Sequence, residues 1–64
     1  MKTKDYTVYH ALRTHEINVE LRKHFDGTYS VVDIDKSGNE TQHIRDSYGR
    51  AEAKYKQLLS TKIK

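Results

Sequence analysis

Ile17, Val19 and Leu21 alternate with Asn18, Glu20 and Arg22, and the alternation runs directly into Asp26-Gly27. A period of two turns successive side chains to opposite faces, which predicts a half-buried strand between Glu16 and Phe25. Asp-Gly is a strong signal for a two-residue hairpin loop, because both loop positions need positive φ. Residues 28 to 35, TYSVVDID, then read as a second strand, and residues 40 to 47, ETQHIRDS, as a weaker third. From about Gly49 the period changes to 3.6: Ala51, Tyr55, Leu58, Leu59 and Ile63 fall on one face, with Lys54, Lys56 and Gln57 outside. Ser47 or Asp46 can cap this helix. YTVYHALR near the start is open between a fourth strand, with Tyr6, Val8, His10 and Leu12 on one side, and a short helix; its Tyr, Thr and Val content favours the strand.

These elements predict a small α+β domain, a three- to four-stranded antiparallel sheet packed on one face by a C-terminal helix. Pairing outward from a two-residue Asp26-Gly27 loop sets Leu21 opposite Val32 and Val19 opposite Ile34. A three-residue Lys36-Ser37-Gly38 loop, with glycine in the left-handed region, puts Asn39 opposite Asp35 and Ile44 opposite Ser30. Tyr55, Leu58 and Leu59 are then expected to cover Ile17, Val19, Leu21, Val32, Ile34 and Ile44. With 64 residues there is room for one domain, 1–64, with 1–5 and 63–64 expected to be flexible. The apolar fraction of 34% is low, yet five tyrosines and the aliphatic residues argue against full disorder. With no cysteine, disulfides and thiolate chemistry are excluded. No apolar run approaches a membrane span and no signal-peptide core is seen, so the expected compartment is the cytosol, or the host cytosol if the chain is viral.

The segment VVDIDKSGNE places Asp33, Asp35, Ser37 and Gly38 at the offsets of a calcium loop. Position twelve is Ile44 where a bidentate glutamate is required, and the flanking segments read as strands; the residues are those of an ordinary turn, and no metal ligands are assigned. HEINV lacks the second histidine of a zinc-hydrolase motif, and Ser30, Ser37, Ser47 and Ser60 lack a nucleophile-elbow context. No phosphate loop is present, and no catalytic residue, cofactor or small-molecule substrate is expected. The net charge of +3 is mild and concentrated at the termini.

On the face away from the helix the expected register aligns Arg22, Val31 and His43, then His24, Tyr29 and Arg45. Glu20 with Asp33 and Asn18 with Asp35 would form an acidic opposite end. Arg22, His24, Tyr29, His43 and Arg45 are therefore the candidate residues for binding nucleic acid or a partner. The rhythm of DGTYSV, Asp35, Gly38, Tyr48 and AEAKYKQLL resembles the arm-type, AP2-like DNA-binding domain of phage and transposon integrases over roughly residues 16 to 62. That resemblance implies a three-stranded sheet, packed by a C-terminal helix, that reads DNA with its exposed face. The family's sheet face is rich in Lys and Arg, whereas here Arg22 and Arg45 stand beside Glu20 and Asp33. GRAEAKYKQLL is similar to the end of double-stranded RNA-binding domains without their clustered lysines, and the overall make-up looks like short accessory proteins of tailed phages. The expectation is a non-enzymatic interaction module, a phage or mobile-element accessory protein that binds a protein or itself. The alternative is a nucleic-acid binder acting through the sheet face.

Overall fold

The computed structural model describes residues 5–63, without the Ile63 side chain. Four strands, β1 Tyr6–Arg13, β2 Asn18–His24, β3 Tyr29–Ile34 and β4 Glu40–Asp46, precede one helix, α1 Tyr48–Ile63. The strands form an antiparallel meander in the order β1-β2-β3-β4. The alternative left open for residues 6–13 resolves as strand, in keeping with their β-branched and aromatic content. The flexibility expected for the two ends falls largely on residues 1–4 and 64, outside the described residues. Asp5, next to them, accepts a backbone hydrogen bond from Phe25 (3.1 Å).

Which side chains enter the core is decided by the turns, and the first turn differs from expectation. His24 N–H donates to the Thr28 carbonyl (2.8 Å), and Gly27 N–H returns to the His24 carbonyl (3.1 Å). The loop is thus three residues, Phe25-Asp26-Gly27, with Gly27 alone at positive φ (95°). The Asp26 carboxylate holds it from inside, accepting bonds from the Thr28 amide and hydroxyl. One extra loop residue moves the register by one, so Leu21 pairs with Val31 and Val19 with Asp33, not with Val32 and Ile34. Every side chain of β3 accordingly changes face.

The second turn forms as expected. Gly38 takes φ 91°, Asp35 and Asn39 pair, and the Asp35 carboxylate accepts the amides of Ser37 and Asn39, both at 2.9 Å. Asp35 is held below the usual carboxylate range, chiefly by the Asn39 amide. Beyond it the β3–β4 ladder contains a bulge at His43, so Ile44 faces Val31 in place of Ser30. The bulge restores Ile44 to the apolar side despite the shift upstream.

Val19, Leu21, Val31 and Ala51 are fully buried, and Ile17, Tyr29, Ile44, Tyr55, Leu58 and Leu59 pack around them. Ala51 is small enough for the helix backbone to approach the sheet. Val32 is buried on the opposite face, and Ile34 also turns there, so neither joins the helix-side core. The Ser47 carbonyl accepts the first helical bond, from Ala51, while the Asp46 carboxylate accepts the Ser47 amide. Lys62 complements the helix dipole in the last turn and reaches Asp33 at 2.9 Å.

Candidate interaction surface

The face turned away from α1 is closed by charges. Glu20 accepts from Arg13 (2.7 Å) through one oxygen and from Arg22 Nε (2.8 Å) through the other. The two Nη groups of Arg22 extend across β3 to both oxygens of Glu40, at 3.2 and 3.1 Å. The Arg22 guanidinium also lies 4.3 Å from the centroid of the Tyr6 ring. The result is a ladder running Arg13–Glu20–Arg22–Glu40 over Val32 and Ser30. The side chains of Glu20 and Arg22 are only 9% and 8% exposed, although no second layer among the described residues covers them. Burial acts to raise the Glu20 carboxyl, but the Arg13 and Arg22 bonds outweigh it and hold the pKa below its ordinary value. Burial likewise acts to lower Arg22, and Glu40 with Glu20 reverses it.

The five candidate residues do not assemble into one platform. Arg22, His24 and Arg45 share the face away from the helix, but the three-residue first loop and the His43 bulge send Tyr29 and His43 to the helix side. Each of the five already has a partner inside the chain. Arg45 donates to the Thr28 hydroxyl and to Asp26, both at 3.0 Å. Asp26 falls to about 2, through Thr28 first and Arg45 after it. His43 faces Asp33 at 3.8 Å. The expected acidic row is absent as well: Glu20 stands opposite Val32, and Asp33 lies on the helix side with Lys62.

His24 is hydrogen-bonded through Nε2 to the Ser30 hydroxyl (2.7 Å), and its Nδ1 lies 3.6 Å from Asp5. This is the order of an acid–base–nucleophile relay, but Ser30 is 1% exposed. A reacting atom must come within roughly 3–3.5 Å of a nucleophile, and none can reach this hydroxyl. The His24–Ser30 bond ties β2 to β3, while the buried His24 Nδ1 makes no hydrogen bond among the described residues.

Phe25, in the first turn, is the most exposed large apolar side chain among the described residues, at 71%. Further exposed apolar side chains, Val8, Tyr9 and Tyr48, lie along β1 and at the start of α1. Helix α1 packs on β2, β3 and β4, and it meets β1 only through side chains such as Tyr55, on which His10 stacks. β1 carries its own bulge, at Tyr9, which turns Tyr9 and His10 to the helix side together while Tyr6 and Val8 face away. The expected common side for Tyr6, Val8, His10 and Leu12 is therefore split. Tyr9, Tyr29 and Tyr48 pack edge to face, with ring centroids 5.0–5.7 Å apart. The Tyr48 hydroxyl donates to Glu52 (2.7 Å), a bond that raises its pKa to about 12. Val8 and Tyr9 remain 42% and 46% exposed. Sequence reasoning on paired charges passed over this surface. Its signal was YTVYHAL, seven residues without Asp, Glu, Lys or Arg in a chain that is 33% charged.

No protein-family model matches the chain, and comparison with curated proteins and with solved structures returns no match. No helix among the described residues is long and apolar enough to cross a membrane.

Proposed function

We propose that this chain is a non-enzymatic interaction module that binds a protein partner along β1 and the adjoining tyrosines. One observation carries the reading: on the face away from the helix each described arginine is engaged by the chain's own carboxylates, while Val8 and Tyr9 of β1 stand exposed. A phosphate would have to break the Arg22–Glu40 fork, and charge-assisted bonds of that kind are the strong ones. Tyrosine is the residue type that protein interfaces favour, supplying large contact area at low entropic cost. The similarity in make-up to short phage accessory proteins is the ground for placing the module in that setting.

The test sets the two readings side by side. Affinity capture with the wild-type chain should retain a protein that a Tyr9→Lys chain loses. A mobility-shift titration with duplex and single-stranded DNA should give no shift at low salt. A shift that weakens steeply as salt rises, and that Arg22→Met abolishes, overturns the proposal in favour of nucleic-acid binding.

A further inference from the structure

We propose that the partner that fits β1 is a second copy of this chain, joined edge to edge so that the two sheets become one. The inference rests on the protein-binding reading above and names its occupant. Its ground is the self-complementarity of β1. Tyr6, Val8, Ala11 and Arg13 face away from the helix, opposite His24, Arg22, Glu20 and Asn18 of β2. Thr7, Tyr9, His10 and Leu12 face the helix side, because the bulge places two consecutive residues there. Directly opposed residues in antiparallel strands share a face. Only one register joins β1 to a copy of itself with all eight residues matched: Tyr6 opposite Arg13, Thr7 opposite Leu12, Val8 opposite Ala11, and Tyr9 opposite His10. A shift by one residue sets inward against outward side chains along nearly the whole strand. A shift by two breaks the match at the bulge and leaves the ends unpaired.

A bulge on an edge strand ordinarily deters pairing, because it interrupts the alternation that a neighbour must follow. Here a two-fold axis through the bulge sets the two interruptions against each other, and they cancel. The paired side chains also agree in chemistry. Val8 meets Ala11 of the second copy, removing exposed methyl groups from water on one face. Tyr9 meets His10 of the second copy on the other, extending the Tyr29–Tyr48 ring cluster across the axis. At the strand ends Arg13 comes over the Tyr6 ring of the second copy, as Arg22 already does within the chain. The ladder bonds follow as well: Phe25 donates to the Asp5 carbonyl, and alternation from Asp5 turns the N–H and C=O of Val8 outward. β4, the other edge, carries Glu40, Arg45 and Asp46 and offers no such match.

The absence of cysteine makes the register testable by cross-linking. Sedimentation equilibrium of the full chain, from about 1 µM to about 500 µM, should give twice the 7.5 kDa of the single chain. Val8→Lys places an ammonium at an exposed position outside the core; it should leave the circular dichroism unchanged, weaken the dimer by about tenfold or more, and lower the melt only at concentrations where the wild-type chain is dimeric. Val8→Cys mixed with Ala11→Cys should oxidise to the mixed disulfide, whereas Val8→Cys alone should stay reduced. A mass of 7.5 kDa throughout overturns the second copy. If capture of a different protein survives in that case, the protein-binding reading stands without it. A dimer in which Val8→Cys links to itself overturns the register, and open-ended growth of the mass overturns the two-fold.

Discussion

On the helix side of β2, Val19 and Leu21 lose all contact with water against methyl groups and rings. On the other side of the same strand, Glu20 and Arg22 are nearly as buried, against each other. The two faces are sealed by opposite means. Apolar burial is non-directional and contributes about 25 cal/mol per Å² removed from water, so the helix side supplies the driving force and tolerates rearrangement. A buried ion ladder gains little net free energy, because desolvation consumes most of the attraction. What it adds is geometry: Glu20 must meet Arg13 and Arg22 at once, and Arg22 must reach Glu40 across β3. A slip of one residue in any strand strands a charge. The contrast teaches that stability and register in this sheet are held by different faces.

Substitutions on each side test that division. Leu21→Ala should have the largest effect, about 2–5 kcal/mol, as expected for a fully buried leucine. A core this small rarely supplies more than about 3–5 kcal/mol in all, so the variant should be largely unfolded at 25 °C by circular dichroism. Arg22→Met should cost about 2 kcal/mol in urea titration, less than a fully buried pair because Glu40 is half exposed. The decisive measurement is the double variant Glu20→Leu/Arg22→Met. Near wild-type stability there would show that the ladder contributes geometry; a loss equal to that of Arg22→Met would break the comparison.

The architecture was legible because it depends on periodicity. The period of two over Ile17, Val19 and Leu21 and the 3.6 period over Ala51, Tyr55, Leu58 and Leu59 both place their residues on the helix side. The face assignments depended on single loop residues, and these periodicity does not encode. Asp26-Gly27 suits a two-residue loop equally well; the outcome was settled by Thr28, whose amide and hydroxyl both bind Asp26 and close a three-residue loop. The bulges at Tyr9 and His43 have no local signature in composition, yet each redirects the strand beyond it. Tyr29 and His43 left the candidate platform for these reasons. The ladder was hidden because Glu20 and Arg22 alternate like any solvated pair. Gly27→Ala probes the turn directly. It puts a β-carbon at φ 95°, where nothing lies within 4 Å to clash, so the cost is purely conformational. About 1 kcal/mol is expected in urea titration, with the chemical shifts of Val31 and Ile44 retained.

Each face also sets its own pH limit, and this is the finest test of the contrast. Glu20 titrates below its ordinary 4.5 in the folded chain, so the ladder's contribution is complete above pH 4.5 and is lost as pH falls through the lowered value. Tyr48 behaves in the opposite sense. Its folded pKa of about 12 lies above the ordinary 10.0, so its bond to Glu52 stabilises fully below pH 10 and is lost as pH rises toward 12. Beyond that point a phenolate would face a carboxylate. Melting temperature followed across the two windows should therefore fall at both ends. Glu20→Gln should make the acid limb shallower and leave the alkaline one, while Tyr48→Phe should make the alkaline limb shallower and leave the acid one. The remainder comes from Asp26 and Asp35 on the acid side and Tyr55 on the alkaline side. The Tyr48 effect should be the smaller of the two, because its hydroxyl is open to water and Glu20 is not. An acid limb unchanged by Glu20→Gln would mean that Asp26 and Asp35 in the turns, not the ladder, set the lower limit.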